Sequence, residues 1–425
     1  MRVSAAAFGE DSIFTARDEG TRREGEAVRA TFVNQYFRPD EAATAQLLSD
    51  LVEVCAARGA SCRVVCSDRS YADPARRYPR REELPDAVVE RFPASGFGRS
   101  SRVGRVADYA TFLLGAARGL LSGPKPDVIV GMSTPPILGA LAVAVARLRG
   151  CRSAYWAMDV YPDLAFELGA MGRGSLAGRS FGAVSRWTLR RADLVVALGE
   201  TMAARLTALG ARNAVAVHNW ADGEAIRPAA PASRDRLVVL YSGNLGLAHE
   251  FGTLLSAAEK LRKEAVTFVF QGGGPRLAEV KEEAARCGLL NVEFRPAAPR
   301  ERLGESLAEG DVHVVTLRPG MPGLLVPSKI YGILAAGRPV LYVGPFEGEV
   351  FDIISRAECG DCVAPGDVAG AVAALRRWVD DAPARREAGM AGRVLFERSF
   401  TREGQCGRLA ALLEAVARRG TEVTG

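Results

Sequence analysis

The sequence predicts an α/β protein made of two Rossmann-like domains that face a cleft. Three observations carry this reading. The chain has 425 residues, more than one typical core can organise. Short apolar runs alternate with helical patterns, which is how parallel sheets read in sequence. The alternation also starts twice, near residue 30 and near residue 237, either side of a stretch at 221–236 with several Pro and Ala. The expected layout is a disordered tail at 1–29, a first domain at 30–220 and a linker at 221–236. A second domain follows at 237–400, then a final helix at 401–425.

Bulk composition narrows the class. Hydrophobic residues make up 48% and the net charge is +5, as in an ordinary globular protein. The charge is uneven, because residues 51–191 hold 21 basic and 12 acidic side chains. That surplus can attract acidic partners. No zinc-finger spacing, helix-turn-helix or RNA-binding aromatic pattern is visible, so no nucleic-acid partner is expected. The eight cysteines are scattered and no secretory signal precedes them, which predicts reduced thiols in the cytoplasm. Cys359 and Cys362 have redox-motif spacing, but late in the chain between a helix and a strand. The apolar runs at 109–121 and 137–148 are too short to span a bilayer.

In the first domain, a strand at 29–37 leads through a loop to a helix at 44–58 with Leu47, Leu48, Leu51 and Val52 on one face. A strand at 62–66 completes a βαβ start. Ligands in such sheets bind at the carboxyl ends of strands, so the loop at 37–43 sits at the cleft. Glu41 in it faces an acceptor or caps the helix. Residues 68–106 read as loop-rich and basic, with Arg76, Arg77, Arg80, Arg81, Arg91, Arg99, Arg102 and Arg105. An amphipathic helix follows at about 105–121. Residues 154–163 form a strand and its carboxyl-end loop, which places Asp159 at the cleft. Asp159 is the candidate to position or deprotonate an acceptor hydroxyl, the alternative being a turn cap.

The second domain begins with a strand at 237–241 and a turn of small residues, Ser242-Gly243-Asn244-Leu245-Gly246, which lets a ligand approach the backbone. His249 follows. Gly272, Gly273 and Gly274 form a flexible turn after the next strand. A strand at 311–317 leads through Arg318 to the stretch around which the domain is organised, residues 326–340. There Pro327 suits the first turn of a helix. Ser328 and Lys329 lie beside the free amides of that turn, a setting that favours an anion, and Lys329 adds a point charge suited to phosphate. Ile330, Ile333 and Leu334 have helical spacing toward a core, and Gly337 ends the helix.

This stretch resembles the nucleotide-sugar loop of family 4 glycosyltransferases, closest to the bacterial subgroup for colanic acid, capsule and O-antigen saccharides. His218-Asn219-Trp220, the turn at 241–246 and the segment Gln271-Gly272-Gly273-Gly274-Pro275-Arg276-Leu277 occur in the order seen in that subgroup. The resemblance implies the GT-B arrangement and a sugar transfer that is retaining at the anomeric carbon. The nucleotide-sugar would be held by Gly243, Asn244, His249, Gly272, Gly273, Gly274, Arg318, Pro327, Ser328 and Lys329. The acceptor, a lipid-linked saccharide, would meet Glu41 and Asp159, with peripheral contact to an anionic membrane from the cytoplasmic side. Asp159 and Lys329 are the catalytic candidates, and neither a cofactor nor a metal is expected. The sequence departs from the wider family at two glutamates, replaced here by Leu324 and Gly332, so donor contacts fall to backbone, Ser328, Lys329 and Glu349. Two alternatives stay open: a nucleotide-sugar epimerase or other GT-B enzyme, and a non-catalytic partner subunit that binds nucleotide-sugar.

Overall fold

A computed structural model describes residues 27–73, 75–97, 102–229 and 235–419. The tail expected at 1–29 lies almost wholly outside them. Two parallel sheets organise the chain. The first contains β1 (Arg29–Val33), β2 (Ser61–Ser67), β3 (Arg81–Glu83), β4 (Val88–Phe92), β5 (Val128–Met132), β6 (Arg152–Trp156), β7 (Leu194–Ala197) and β8 (Ala214–Ala216). Their order is β3-β4-β2-β1-β5-β6-β7-β8, with only β3 antiparallel to its neighbour. The second sheet contains β9 (Leu237–Ser242), β10 (Val266–Gln271), β11 (Val292–Arg295), β12 (Val312–Thr316), β13 (Val340–Val343) and β14 (Gly360–Val363). It runs β11-β10-β9-β12-β13-β14 and is parallel throughout. The central strands are buried along most of their length, which is why they read as apolar runs and not as alternation.

Helices cover both sheets. The first domain carries α1 (Ala43–Ala57), α2 (Arg102–Ser122), α3 (Leu138–Arg149), α4 (Asp163–Glu167), α5 (Leu176–Arg191) and α6 (Glu200–Ala208). The second carries α7 (Gly252–Lys260), α8 (Leu277–Arg286), α9 (Leu303–Ala308), α10 (Lys329–Ala335), α11 (Glu349–Ala357), α12 (Val368–Asp380) and α13 (Ala382–Ser399). The last helix, α14 (Arg402–Arg418), returns to the first domain and packs on α1. Arg58 pairs there with Glu414, and Arg402 with Asp50 and Glu53.

Two parts of the first domain differ from the sequence reading. The stretch at 68–106 is not merely loop, since β3 and β4 form a hairpin that extends the sheet. Three of its arginines meet carboxylates: Arg77 faces Asp68, Arg81 faces Glu83 and Glu90, and Arg91 is buried against Glu82. Arg99 lies outside the described residues. The second difference is α5, a 16-residue helix that the sequence reading did not include. It is N-capped by Ser175, whose hydroxyl accepts from the Gly178 amide at 3.0 Å. Burial pushes both thiols of the late cysteine pair up to about 12, which disfavours the thiolate that redox chemistry needs.

The domains meet in two places. At the end of β6, the Val160 amide donates to the Leu324 carbonyl at 2.8 Å, and Asp159 and Leu325 form an antiparallel bridge. Further along, Glu349 crosses from the start of α11 to the start of α6. Its Oε1 accepts from the Met202 amide at 2.9 Å, so it caps a helix of the other domain. This corrects the expectation that Glu349 holds the donor. A Cβ on Gly199 would fall 2.1 Å from Glu349 Cγ, so glycine there admits the carboxylate. Glu349→Ala leaves those amides unpaired in a buried junction. It should lower stability by about 1–3 kcal/mol, read as a drop in Tm, and Glu349→Gln should recover part of the loss.

Candidate functional site

The carboxyl-end turns of the second domain are built against one another. The Gly243 amide donates to the Gln271 carbonyl at 2.8 Å, the Leu245 amide to Gly273 at 2.7 Å and the Arg276 amide to Leu245 at 3.1 Å. Glycine is required by this close approach. A Cβ on Gly272, whose φ is +138°, would lie 2.1 Å from the Gly243 carbonyl oxygen, and one on Gly274 2.5 Å from Asn244 Oδ1. Gly273, in contrast, faces open space.

Lys329 projects over these turns. Its Nζ donates to the Asn244 carbonyl at 3.3 Å and sits 4.8 Å from the centre of the Tyr241 ring. A Cβ on Gly243 would meet Lys329 Cε at 2.9 Å, so that glycine makes room for the side chain. Desolvation lowers the Lys329 ammonium from 10.5 to about 8. No carboxylate pairs with it among the described residues. A partly exposed cation balanced only by a carbonyl and a ring is prepared for an anionic ligand.

The rest of the loop departs from expectation in its details. The helix starts at Lys329, one residue after Ser328, so Pro327 lies outside the first turn. Ser328 is exposed and its side chain caps nothing. The Ile330 and Tyr331 amides already donate to the Pro327 and Ser328 carbonyls, both at 3.3 Å. The charge for an anion therefore comes from Lys329 more than from the helix start.

His249 is neither exposed nor a basic substitute. It is buried, its Nδ1 lies 2.7 Å from the Thr316 carbonyl, and burial lowers it to about 3. It is a neutral strut beneath the turn. Arg318 is exposed, with Nη1 donating to the Leu247 carbonyl at 3.2 Å. Arg276 does the tying instead: it donates to the His249 carbonyl and pairs with Glu279.

On the first domain, Asp159 stands at the carboxyl end of β6. The Asp159 amide donates to Ser133 Oγ at 3.3 Å, but its carboxylate makes no hydrogen bond or ion pair among the described residues. It is thus not a turn cap. Desolvation alone raises it from 3.8 to about 6. Glu41 is exposed just before α1; the N-cap position is Ala42, and no side chain caps that end.

A cavity of about 270 Å³ opens between the domains. Gln46, Asp50, Asn219 and Trp220 line it from the first domain. Ser242, Gly243, Ser328, Lys329 and Gly332 line it from the second. Asp159 is outside this lining; the loop at 324–329 runs between it and Lys329. Asp50 and Trp220 were not foreseen as site residues. Their only sequence signal was the adjacency of Trp220 to Asn219 in an otherwise unexplained motif.

Two parallel-sheet domains closing on a cleft, with a lysine free of any carboxylate over glycine turns, define the GT-B class of sugar-transferring enzymes. Residues 43–220 match a glycosyl transferase 4-like domain and residues 236–381 match glycosyl transferases group 1, together most of the chain. The chain belongs to this glycosyltransferase family, and it is an enzyme of that kind. A putative colanic acid biosynthesis glycosyl transferase, WcaI of Escherichia coli, is 26% identical over 367 residues, 80% of this chain and 89% of that protein. The fold is also that of the sucrose-phosphate synthase of Thermosynechococcus elongatus, with a TM-score of 0.75, 17% identity, and 92% and 100% of the two chains covered. HepE of Anabaena, solved with UDP and glucose, has a TM-score of 0.69 at 14% identity, covering 91% of this chain and all of its own.

The lysine gives a direct test. Lys329→Ala should weaken binding of a nucleoside diphosphate by at least about tenfold, the loss of one charge-assisted contact. In the unsubstituted protein, affinity should hold below pH 8 and fall as pH rises through that value, because Lys329 then loses its charge. Titration calorimetry across pH 6.5–9.5 reads both.

Proposed function

We propose that the enzyme moves a sugar from a nucleotide-sugar donor to a lipid-linked saccharide acceptor, with retention at the anomeric carbon, in cell-surface polysaccharide synthesis. The observation that carries this is Lys329, a desolvated cation without a carboxylate partner among the described residues that lines the interdomain cavity. Asp159, also desolvated and without a partner, stands outside that lining, beside the 324–325 end of the same loop. Lys329 takes the charge that develops on the departing diphosphate. The bond from the anomeric carbon to that diphosphate breaks as the bond to the acceptor oxygen forms. Asp159 accepts the hydrogen bond of the attacking hydroxyl and takes its proton. Glu41, exposed beside the start of α1, is free to meet the acceptor. The reading requires no metal or cofactor. HepE, solved with UDP and glucose, supports a nucleotide-sugar donor, and the colanic acid relative supports the polysaccharide setting.

The lipid-linked acceptor brings the enzyme to the inner face of the cell membrane. Among the described residues no helix is long and apolar enough to cross it. The arginine stretch at 76–105 gives docking there less support, because Arg77, Arg81 and Arg91 meet carboxylates. The support lies in the layer α2, α3 and α5, which lie side by side. Arg118, Arg147, Arg179, Arg186, Arg190 and Arg191 are exposed there without a carboxylate partner. Exposed Leu114, Leu148, Leu176 and Trp187 lie among them. On the other side of the domain, α1 and α14 pair their charges with each other.

Asp159→Asn should lower kcat by about a hundredfold or more while donor affinity changes little. The rate in the unsubstituted enzyme should fall as pH drops through 6, and the variant should lose that limb. Burial of the ionised carboxylate costs stability that accumulates as pH rises from 3.8 to about 6. The variant should therefore melt at a higher temperature at pH 7.5 and at nearly the same one at pH 4. A collapse of donor affinity would instead assign Asp159 to the donor.

Membrane docking has its own readout. The full chain should sediment with vesicles containing anionic lipid and be released by salt. Replacing Arg179 and Arg186 by Glu should abolish this, since each arginine near such a surface contributes about 1 kcal/mol. Equal recovery in the supernatant with and without anionic lipid would remove the surface from the reading.

A further inference from the structure

We propose that Asn219 and Asp50 form a hydroxyl-binding subsite that takes the vicinal diol of the donor, opposite Lys329. The inference rests on the reading of the interdomain cavity as the donor site. It concerns residues of the first domain, so that the donor is held by both domains at once.

Asn219 is only 2% exposed, and its Oδ1 has no hydrogen-bond partner among the described residues. It lines the cavity. An orphaned amide oxygen in such a place costs about 1–3 kcal/mol, and a ligand hydroxyl would relieve that cost. Beside it, Trp220 stacks on Trp156 at 5.8 Å and donates from Nε1 to Asp50 Oδ2 at 2.9 Å. This fixes the carboxylate. Its other oxygen, Oδ1, lies 3.3 Å from Arg402 Nε, an ion pair that does not satisfy that nitrogen's hydrogen bond. Oδ1 is thus open to a further donor. Two acceptors held on one wall, an amide oxygen and a carboxylate oxygen, match the two donors of a vicinal diol.

The charge pattern sets the orientation. Asp50 is the one carboxylate lining the cavity and Lys329 the one cation. Lys329 is the cation a diphosphate needs, while Asp50, already paired with Arg402, has an oxygen that accepts from neutral hydroxyls, so the diphosphate goes to Lys329 and the diol to Asp50. The second domain supplies no competing acceptor at Gly332. A Cβ there would meet Leu307 Cδ1 at 3.4 Å, and next Ile226 Cδ1 at 4.0 Å, both apolar. The diol belongs to the ribose or to the transferred sugar; the chemistry is shared and the experiment separates them.

The test is titration calorimetry of the full chain with UDP, GDP and ADP, their 2′-deoxy counterparts, and UDP-glucose. For a ribose diol, the unsubstituted protein should bind the 2′-deoxy form of its preferred nucleotide about tenfold or more weakly. Asn219→Ala and Asp50→Asn should bind the ribonucleotide about tenfold more weakly and no longer discriminate. The second variant keeps an oxygen for Trp220 but loses the ion pair to Arg402, so its melting temperature is read beside its binding, and Asn219→Ala, which breaks no ion pair, is the independent variant. For a sugar diol, the deoxy form should bind normally, and both variants should abolish the gain of UDP-glucose over UDP. Lys329→Ala should weaken ribo and deoxy forms alike and keep the discrimination. If nucleotides bind in a Lys329-dependent way while both variants keep every preference, the subsite is overturned and the donor reading survives. If Lys329→Ala changes nothing, the donor reading itself fails.

Discussion

The backbone junction between residues 159–160 and 324–325 is the contact on which the rest of the structure depends. Parallel sheets present their loops at the carboxyl ends of their strands, and a ligand site between two such sheets needs those ends opposed. A hydrogen bond from Val160 to Leu324 does this with no side chain. It places the loop carrying Lys329 against the loop carrying Asp159. Glu349 supports the same arrangement from one side, because a helix start in one domain is completed by a carboxylate of the other. The junction also explains α14, which clamps onto α1 and returns the chain end to the first domain.

Burial acts on both proposed catalytic groups in the same way. It pushes Lys329 down to about 8 and Asp159 up to about 6, each toward its neutral form. In neither case does a protein group of opposite charge compensate. A fold optimised for stability alone would supply partners, and their omission is characteristic of sites that wait for a ligand. At neutral pH both groups still hold their charge in the main, so the enzyme needs no conformational step to charge them. The diphosphate answers the lysine, and the attacking hydroxyl answers the aspartate.

Much of this was legible in the sequence. Apolar runs bounded by glycine and proline marked the sheets because central parallel strands are buried on both faces. The glycine turns were legible because Gly272 and Gly274 stand where no other residue tolerates the closeness of the neighbouring turn. Local pattern could not show which charges meet across the fold. Glu349 looked like a donor contact at a helix start, yet its acceptor role is spent on a helix about 150 positions earlier in the chain. His249 looked like a spare base because its burial depends on Thr316, in a different strand. The arginines before α2 looked like a basic patch because their partners Asp68, Glu82 and Glu90 are interleaved with them and pair only once β3 and β4 form.

The two missing glutamates follow from the same junction. Leu324 is fully buried, and its carbonyl receives the Val160 amide. A carboxylate there would be desolvated inside the interdomain contact, at a cost of several kcal/mol without a partner. Leucine instead seals the contact and leaves the backbone to do the joining. Gly332 sits over Leu307 and Ile226, where an added carboxylate would again face apolar groups. Once the second domain has given up both acids, a side-chain carboxylate or amide acceptor for neutral hydroxyls lines this cavity only from the wall opposite. That wall holds an unpaired Asn219 and an oriented Asp50. Loss of charge on one side of the cleft and orphaned acceptors on the other are therefore two consequences of one closed geometry.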